Sequence, residues 1–453
     1  MIQKIAPSPM LRRAAGALAI ALSVATVHGQ TIQVGHNIRV ATGLENRPLV
    51  EPHLAAHPSK PNHLLAATIV GDAARTWGDT QICASFLSID GGQQWARHDF
   101  AIAECGDPWV AITPAGDAVF IALGKHVALP DQSRGGLVVF HSADGGFTWD
   151  DKPVGLGTGH DHPTIAIDTS SSARTNWVYV VSGRGVRVDN HQRWSVFIAR
   201  SMDGGRTFGE PVTVVPSNLN LNAEVPVVLS DGTLIASFGD FQRNVDNGAR
   251  GRGMLDRRRE WMLRSTDGGK TFSSPLFASE ACGMGWSWLA ADTSSGSFRD
   301  RLYFACKEKS GQAIVVNASA DRSEIWTDPL RTDADSTVTT IARRDEPALA
   351  VNSAGVVAMA WIETHEQAHA FCQQVRVTAS LDAGRTFLPS RRVSDAESCP
   401  DSAANGAAYG RWSRGGDYFG LAATADGLFH VLWSDARDKV FQLWTATVDV
   451  PTR

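Results

Sequence analysis

Seven short apolar runs in this chain each open on polar or aromatic side chains that could do chemistry together. The runs are EPHLAAHP (51–58), DPWVAITP (107–114), DHPTIAID (161–168), EVPVVLSD (224–231), WSWLAADT (286–293), EPALAVNS (346–353) and DYFGLAAT (417–424). Their openings supply Glu51, His53, Asp107, Trp109, His160, Asp161, His162, Glu224, Trp286, Asp345, Glu346, Asp417 and Tyr418. If these openings converge, crowded like charges raise some carboxyl pKa values, and acid catalysis can use that. The plainer alternative is that each acid bonds backbone within its own unit. Arginine is concentrated elsewhere. Arg75 stands beside Trp77, Arg184 and Arg187 beside His191 and Arg193, and DFQRNVDNGARGRGMLDRRRE (240–260) carries Arg243, Arg250, Arg252, Arg257, Arg258 and Arg259. The chain carries a net charge of −5, yet these stretches are basic. Guanidinium forks grip carboxylates bidentately. The arrangement suits an anionic glycan bearing sialate, uronate or sulfate; a solvated loop with local ion pairs is the other reading.

A repeat must position these residues. Ser-x-Asp-Gly-Gly-x-x-Trp/Phe appears as SIDGGQQW (88–95), SADGGFTW (142–149), SMDGGRTF (201–208) and STDGGKTF (265–272), with SLDAGRTF (380–387) a near copy and SADRSEIW (319–326) a degenerate one. After each opening run comes a second β-rich run, such as AVFIALG or WVYVVSG, and a third leads into the Ser-x-Asp turn. Alternation and Val, Ile, Phe and Trp enrichment indicate strands, and helical periodicity is almost absent. Seven units of four short strands at this period predict an all-β, seven-bladed β-propeller of antiparallel blades. The last unit supplies three strands, so TIQVGHNIRVAT (31–42) is expected to close the ring as its fourth, which removes the exposed edge. In the turn, Asp accepts backbone N–H groups and Gly supplies positive φ, a structural role. Strand-1 starts and strand 2–3 loops then share one face, with the Ser-x-Asp turns on the other.

These repeats resemble the Asp-box (BNR) repeats of the sialidase-like β-propeller superfamily, over about residues 31–450. Within that resemblance, AEVPVVLSDGTL (223–234) is similar to the sialidase stretch carrying a catalytic Glu, and YFGLAATADG (418–427) to the one carrying the nucleophilic Tyr. It implies that Glu224 deprotonates Tyr418, that Tyr418 attacks the anomeric carbon, and that Asp107 is the acid. Glycosidases with a Tyr nucleophile are a recognised exception to the two-carboxylate scheme. The Arg-Ile-Pro motif of sialidases is absent, and seven units stand where sialidases have six blades. The superfamily also contains lyases, lectins and assembly factors, so fold alone does not fix chemistry. A lyase would use Arg to neutralise a uronate and His160, His162 or Tyr418 to remove the α-proton. A binding propeller would use Trp77, Trp286 and Trp288 as sugar platforms. The strong differences between the 2–3 loops favour one unique site, with Arg75, Trp77, His160, His162, Arg187, Arg243 and Trp286 as substrate contacts.

The remaining features set the context. Lys4, Arg12 and Arg13 precede an apolar segment, 14–27, and Val27-His28-Gly29 offers a cleavage site before Gln30, the pattern of a secretory signal peptide over 1–29. Residues 30–453 then form one propeller domain, secreted or periplasmic. No later stretch is long and apolar enough to span a bilayer, and net charge argues against a nucleic-acid partner. The expected partner is an oligo- or polysaccharide substrate, the expected state a monomer. Export permits disulfides. Six cysteines allow 15 pairings, and the repeat favours the local ones, Cys83–Cys105, Cys282–Cys306 and Cys372–Cys399. No cofactor or metal is expected. HEQAH (365–369) matches a zinc pattern that needs a helix, but it follows the strand VVAMAWIE. DTSSSARTN (168–176) and DTSSGSFRD (292–300) lack the acidic spacing of a calcium loop and read as turns.

Overall fold

The computed structural model describes residues 31–72, 81–129, 136–188, 191–217, 220–241, 258–332, 341–367 and 370–452. The signal-peptide expectation, Arg75, Trp77 and Arg243 therefore lie outside the described residues. Seven antiparallel sheets form a seven-bladed propeller, each sheet ordered strand 1 to strand 4. The inner strands are Leu49–Ala56, Ala103–Ile112, His160–Ile167, the split pair Asn220–Ala223 and Val227–Val228, Trp288–Ala291, Ile341–Val351 and Gly420–Ala423. Blade 7 takes its outer strand from the other end of the chain. Gln33 pairs with Asp449 and Val34 with Val448, and Ile38 and Arg39 pair with Thr445 and Trp444. The ring is thus closed by hydrogen bonds as well as by packing, and no blade presents an open edge at the seam.

The core lies between blades. Phe100, at the end of blade 1, stacks on Phe120 of blade 2 with ring centroids 3.8 Å apart and 20° between planes. Trp361 and Trp433 are fully buried on central strands of blades 6 and 7. Alternating Val, Ile, Phe and Trp therefore fill both faces of each sheet, which is why these strands read as nearly continuous apolar runs.

Six turns between strands 3 and 4 share one hydrogen-bond scheme. In the first, Ser88 Oγ donates to Asp90 Oδ1 at 2.8 Å, while the N–H groups of Gly92 and Gln94 donate to Ser88 Oγ and Asp90 Oδ1. The same bonds recur around Asp144, Asp203, Asp267, Asp321 and Asp382. Gly268 takes φ +76°, and a Cβ there would lie 2.7 Å from the Trp177 ring of the preceding blade, so turn geometry and inter-blade contact both require glycine. Strand 3 carries these turns to the face opposite the strand-1 starts.

Three disulfides join Cys83 to Cys105, Cys282 to Cys306 and Cys372 to Cys399, with Cα separations of 5.8, 5.5 and 4.3 Å. Each fastens a segment that leads into an inner strand. Two short helices, Ser402–Asn405 and Ala407–Arg411, precede the last inner strand and were not anticipated. At four and five residues they are too short to show periodicity. No helix among the described residues is long and apolar enough to cross a membrane.

Candidate functional site at the channel mouth

The entrance of an inner strand has an unusual backbone. Glu51, Asp107, His162 and Glu346 occupy equivalent places in blades 1, 2, 3 and 6, with φ of 54°, 49°, 50° and 55°. Each coincides with a register shift in its strand. A left-handed non-glycine residue costs on the order of 1–3 kcal/mol and persists only where surroundings hold it. Here the holding bonds run from blade to blade. The Asp107 N–H donates to Glu51 Oε2 at 3.2 Å, and the His162 N–H donates to Asp107 Oδ2 at 3.1 Å. In blade 4, Glu224 Oε2 likewise accepts from the Ser287 N–H of blade 5 at 3.1 Å. These acids therefore bond backbone of the next blade rather than of their own. The recurrence of acids in the sequence reflects this relay as well as any chemistry.

The carboxylates do converge. The phenol of Tyr418 is pushed well above its ordinary value by burial and by Glu51, Asp107 and Asp417. Burial would lower the His162 pKa, but Asp161, Asp107, Asp417 and Glu224 outweigh it and raise it. Asp417 acts on Glu51, Asp107, Glu346 and Arg414 as well, and it is exposed while Glu51, Asp107 and Glu346 are buried. Asp417 is thus the solvent-facing member of an acid-lined mouth. Glu346 lies behind it, with Oε1 accepting from Arg414 Nε at 3.0 Å and Oε2 buried without a hydrogen bond. Burial raises Glu346 to about 8, with Asp345 and Asp417 adding and Arg414 opposing.

Other expected site residues are placed differently. Glu224 is fully buried, and its carboxylate is held by Arg258, which also grips Glu260. Burial, with Glu260 adding and Arg258 opposing, raises Glu224 to about 8. Two carboxyls around one guanidinium are neutral overall when one keeps its proton. Tyr418 is 3% exposed and its hydroxyl donates to Pro108 O at 3.1 Å. No hydrogen bond joins Tyr418 to Glu224 among the described residues. Trp286 is buried at 4% exposure. It belongs to a plug in which its ring lies 5.4 Å from Tyr418 and 4.8 Å from His162, while Trp109 stacks on His53 at 3.7 Å. His160 is a core residue. Its Nδ1 pairs with Ser182 Oγ at 2.8 Å and its Nε2 with Leu156 O at 3.2 Å, and burial lowers it to about 4. Arg187 is exposed on the blade 3 hairpin, in the strand Val178–Val188. His365 lies in a strand, Val357–Gln367, which removes the helix that the HEQAH pattern requires.

Sequence reasoning missed Arg414 and Lys307. Lys307 pairs with Asp345, and Arg414 reaches Asp345 and Glu346. The signal for Arg414 was its place, three residues before Asp417, on the segment that Cys372–Cys399 ties to blade 6.

A pH dependence of stability follows. Folded Glu224 and Glu346 hold protons up to about pH 8, whereas the unfolded carboxyls lose them near 4.5. Their contribution is complete below about pH 4.5 and is lost as pH rises through 8, at up to about 1.4 kcal/mol per pH unit per proton. The turn aspartates act oppositely. Burial alone would raise Asp144 and Asp203, but the hydrogen bonds donated to them win and lower both, so their contribution is lost in acid below the ordinary Asp range. Melting temperature should therefore peak near pH 5 and fall toward pH 8.5, as read by differential scanning calorimetry. A melting temperature that rises steadily from pH 5 to 8.5 would contradict this assignment.

No protein-family model and no curated protein matches the sequence. Among solved structures, a protein of unknown function from Dyadobacter fermentans DSM 18053 is similar over 93% of this chain and 99% of its own, at 10% identity and a TM-score of 0.52. The Hadza microbial sialidase Hz136 aligns over 92% of this chain and 95% of its own, at 13% identity and a TM-score of 0.47. The α-L-arabinofuranosidase Arb93A from Fusarium graminearum aligns over 92% and 98%, at 10% identity and a TM-score of 0.47. At these identities the likeness to the Dyadobacter protein is one of fold.

Proposed function

We propose that this chain is an exported glycoside hydrolase whose active site is the acid-lined channel mouth, with Glu346 as proton donor and Asp417 as the second carboxylate. The observation that carries the reading is one exposed carboxylate, Asp417, beside a buried carboxyl, Glu346, that keeps its proton to about pH 8. A carboxyl that keeps its proton, near a second carboxylate, is the usual equipment of glycosidic cleavage. Glu346 protonates the leaving oxygen as its bond to the anomeric carbon breaks, and Asp417 takes a proton from the water whose oxygen bonds to that carbon. Glu224 and Tyr418, with their groups engaged by Arg258 and Pro108, act as channel wall in this reading. Three disulfides agree with an exported protein.

We take the substrate to be an anionic oligo- or polysaccharide, with exposed Arg187 and Arg411 and half-exposed Arg414 as described cations on this face. The lyase reading is narrowed to His162 as its base, because His160 is engaged at both ring nitrogens and Tyr418 is enclosed. The test is incubation of purified protein with sialylated, uronate-containing and neutral glycans. Hydrolysis products, seen by mass, are expected from an acidic glycan. Absorbance of an unsaturated uronate would establish a lyase instead, and binding without cleavage a carbohydrate-binding propeller.

A further inference from the structure

Beside the carboxyl pair, on the blade 2 and blade 3 side of the mouth, two members of the relay, Asp107 and His162, meet Asp161. Ligand atoms of Asp107, Asp161 and His162 all lie within 4.8 Å of one another. Three other acids around the mouth have cationic partners: Glu224 has Arg258, Glu346 has Arg414, and Asp345 has Lys307. Among the described residues, the Asp161 carboxylate and both ring nitrogens of His162 make no hydrogen bond. Nδ1 of His162 is closed off from solvent and still unpartnered. Asp107 is 6% exposed, and only its Oδ2 accepts a bond, from the His162 N–H. Asp161 and His162 are half-buried, and the atom that is buried without a partner is His162 Nδ1; such atoms are rare, and an ion is one of the few explanations for them.

We propose that Asp107, Asp161 and His162 form a site for one divalent first-row transition cation, of the Mn²⁺ or Zn²⁺ kind. Two carboxylates and an imidazole are a mixed oxygen and nitrogen set, which suits these ions better than Ca²⁺, whose sites gather six to eight oxygens. Ligand atoms on a common ion at about 2.1 Å are at most about 4.2 Å apart. Closing the trio from 4.8 Å thus asks for side-chain adjustments below an ångström or so. The backbone is already fixed for it. The left-handed turns at Asp107 and His162 and the bond between them set two ligands across the seam of two blades. The Trp286 ring, packed edge-on against His162, limits the imidazole's rotation. Three protein ligands leave positions open for water or a substrate oxygen.

The site has a consequence for the substrate that rests on the glycosidase reading. The described mouth is rich in carboxylates, which repel an anionic sugar. A divalent cation on Asp107 and Asp161 supplies the opposite charge on the side of the mouth away from Arg414. Among the described residues, the other three-residue group of this kind, Cys372, Glu397 and Cys399, offers no thiolate because its cysteines are disulfide-bonded.

The test reads binding rather than turnover, so it stands whether or not the protein cleaves glycans. Tag-free protein, dialysed against EDTA and then buffer, is titrated with Mn²⁺, Zn²⁺ and Ca²⁺ by isothermal calorimetry. One equivalent of Mn²⁺ or Zn²⁺ should bind, with affinity reduced at least tenfold in Asp161→Asn and in His162→Gln. Asp161 makes no side-chain hydrogen bond, so its Asn variant should melt with the wild type. If His162→Gln does not fold, Asp161→Asn and the wild-type stoichiometry still decide. Absence of binding by both ions overturns the proposal. So does one-equivalent binding that survives in Asp161→Asn, which would place the ion elsewhere, such as the adjacent His57 and His63 rings.

Discussion

An Arg258→Met variant should lose about 3–5 kcal/mol of stability at pH 7, because it leaves two buried carboxyls with no counter-charge. Glu224 and Glu260 are both fully buried, and Arg258 is 2% exposed between them. Arg258 also donates to Gly285 O and Ser287 Oγ, so it fastens blade 4 to the entrance of blade 5. Met replaces the length and the apolar stem but none of the bonds. Two further expectations separate lost charge balance from lost packing. The deficit should shrink below about pH 4.5, where both carboxyls are protonated in the unfolded chain as well. Adding Glu224→Gln and Glu260→Gln to Arg258→Met should recover part of the loss, since uncharged groups leave no uncompensated ion. Chemical denaturation at pH 7 and pH 4.5 gives both numbers. A loss under about 1 kcal/mol at pH 7, independent of pH, would mean that the two acids reach water or already hold two protons.

The propeller was legible because its signal is local and repeated. Each Ser-x-Asp turn carries its own hydrogen bonds, none spanning more than five residues, so six copies give strand ends without any knowledge of tertiary contacts. The disulfides were legible for a related reason: sequence separations of 22, 24 and 27 fit one passage from a blade into the next inner strand or back. That the strand-1 starts share a face was legible from topology alone. Their partners were not. Glu51 meets Asp107, Asp107 meets His162 and Glu224 meets Ser287 across 56, 55 and 63 residues, the first two through a left-handed backbone that no residue type announces. The same irregularity explains the two histidines. His160 and His162 are two apart, and simple alternation puts them on one side of a strand. The register shift after Asp161 sends His160 to Ser182 in its own sheet and His162 to the channel. Arg258 shows the converse failure. It reads as one of a run of loop arginines, but it begins the strand Arg258–Ser265, where pairing with Phe241 turns it inward onto Glu224 and Glu260.

Replacement of Glu346 by Gln should lower kcat about 10²- to 10⁴-fold on the glycan that the panel identifies, the ordinary worth of a positioned general acid. KM should change little, because the acid acts on the leaving oxygen as the bond breaks and binds the ground state weakly. Folding should survive, since Gln keeps an oxygen for Arg414 Nε and removes a carboxyl that is buried without a partner on Oε2. The pH profile gives a readout that a structural role would not move. With Glu346 raised to about 8, wild-type kcat/KM should fall on the alkaline side near that pH, as the free enzyme loses its donor proton. Arg414 opposes this rise, so Arg414→Gln should move the alkaline limb to higher pH, while Glu346→Gln should abolish it. A Glu346→Gln enzyme with wild-type kcat would remove Glu346 from the chemistry. An alkaline limb that stays near pH 8 in that variant would assign the proton to another group, and Asp107, whose carboxyl burial also raises, would be the next to replace.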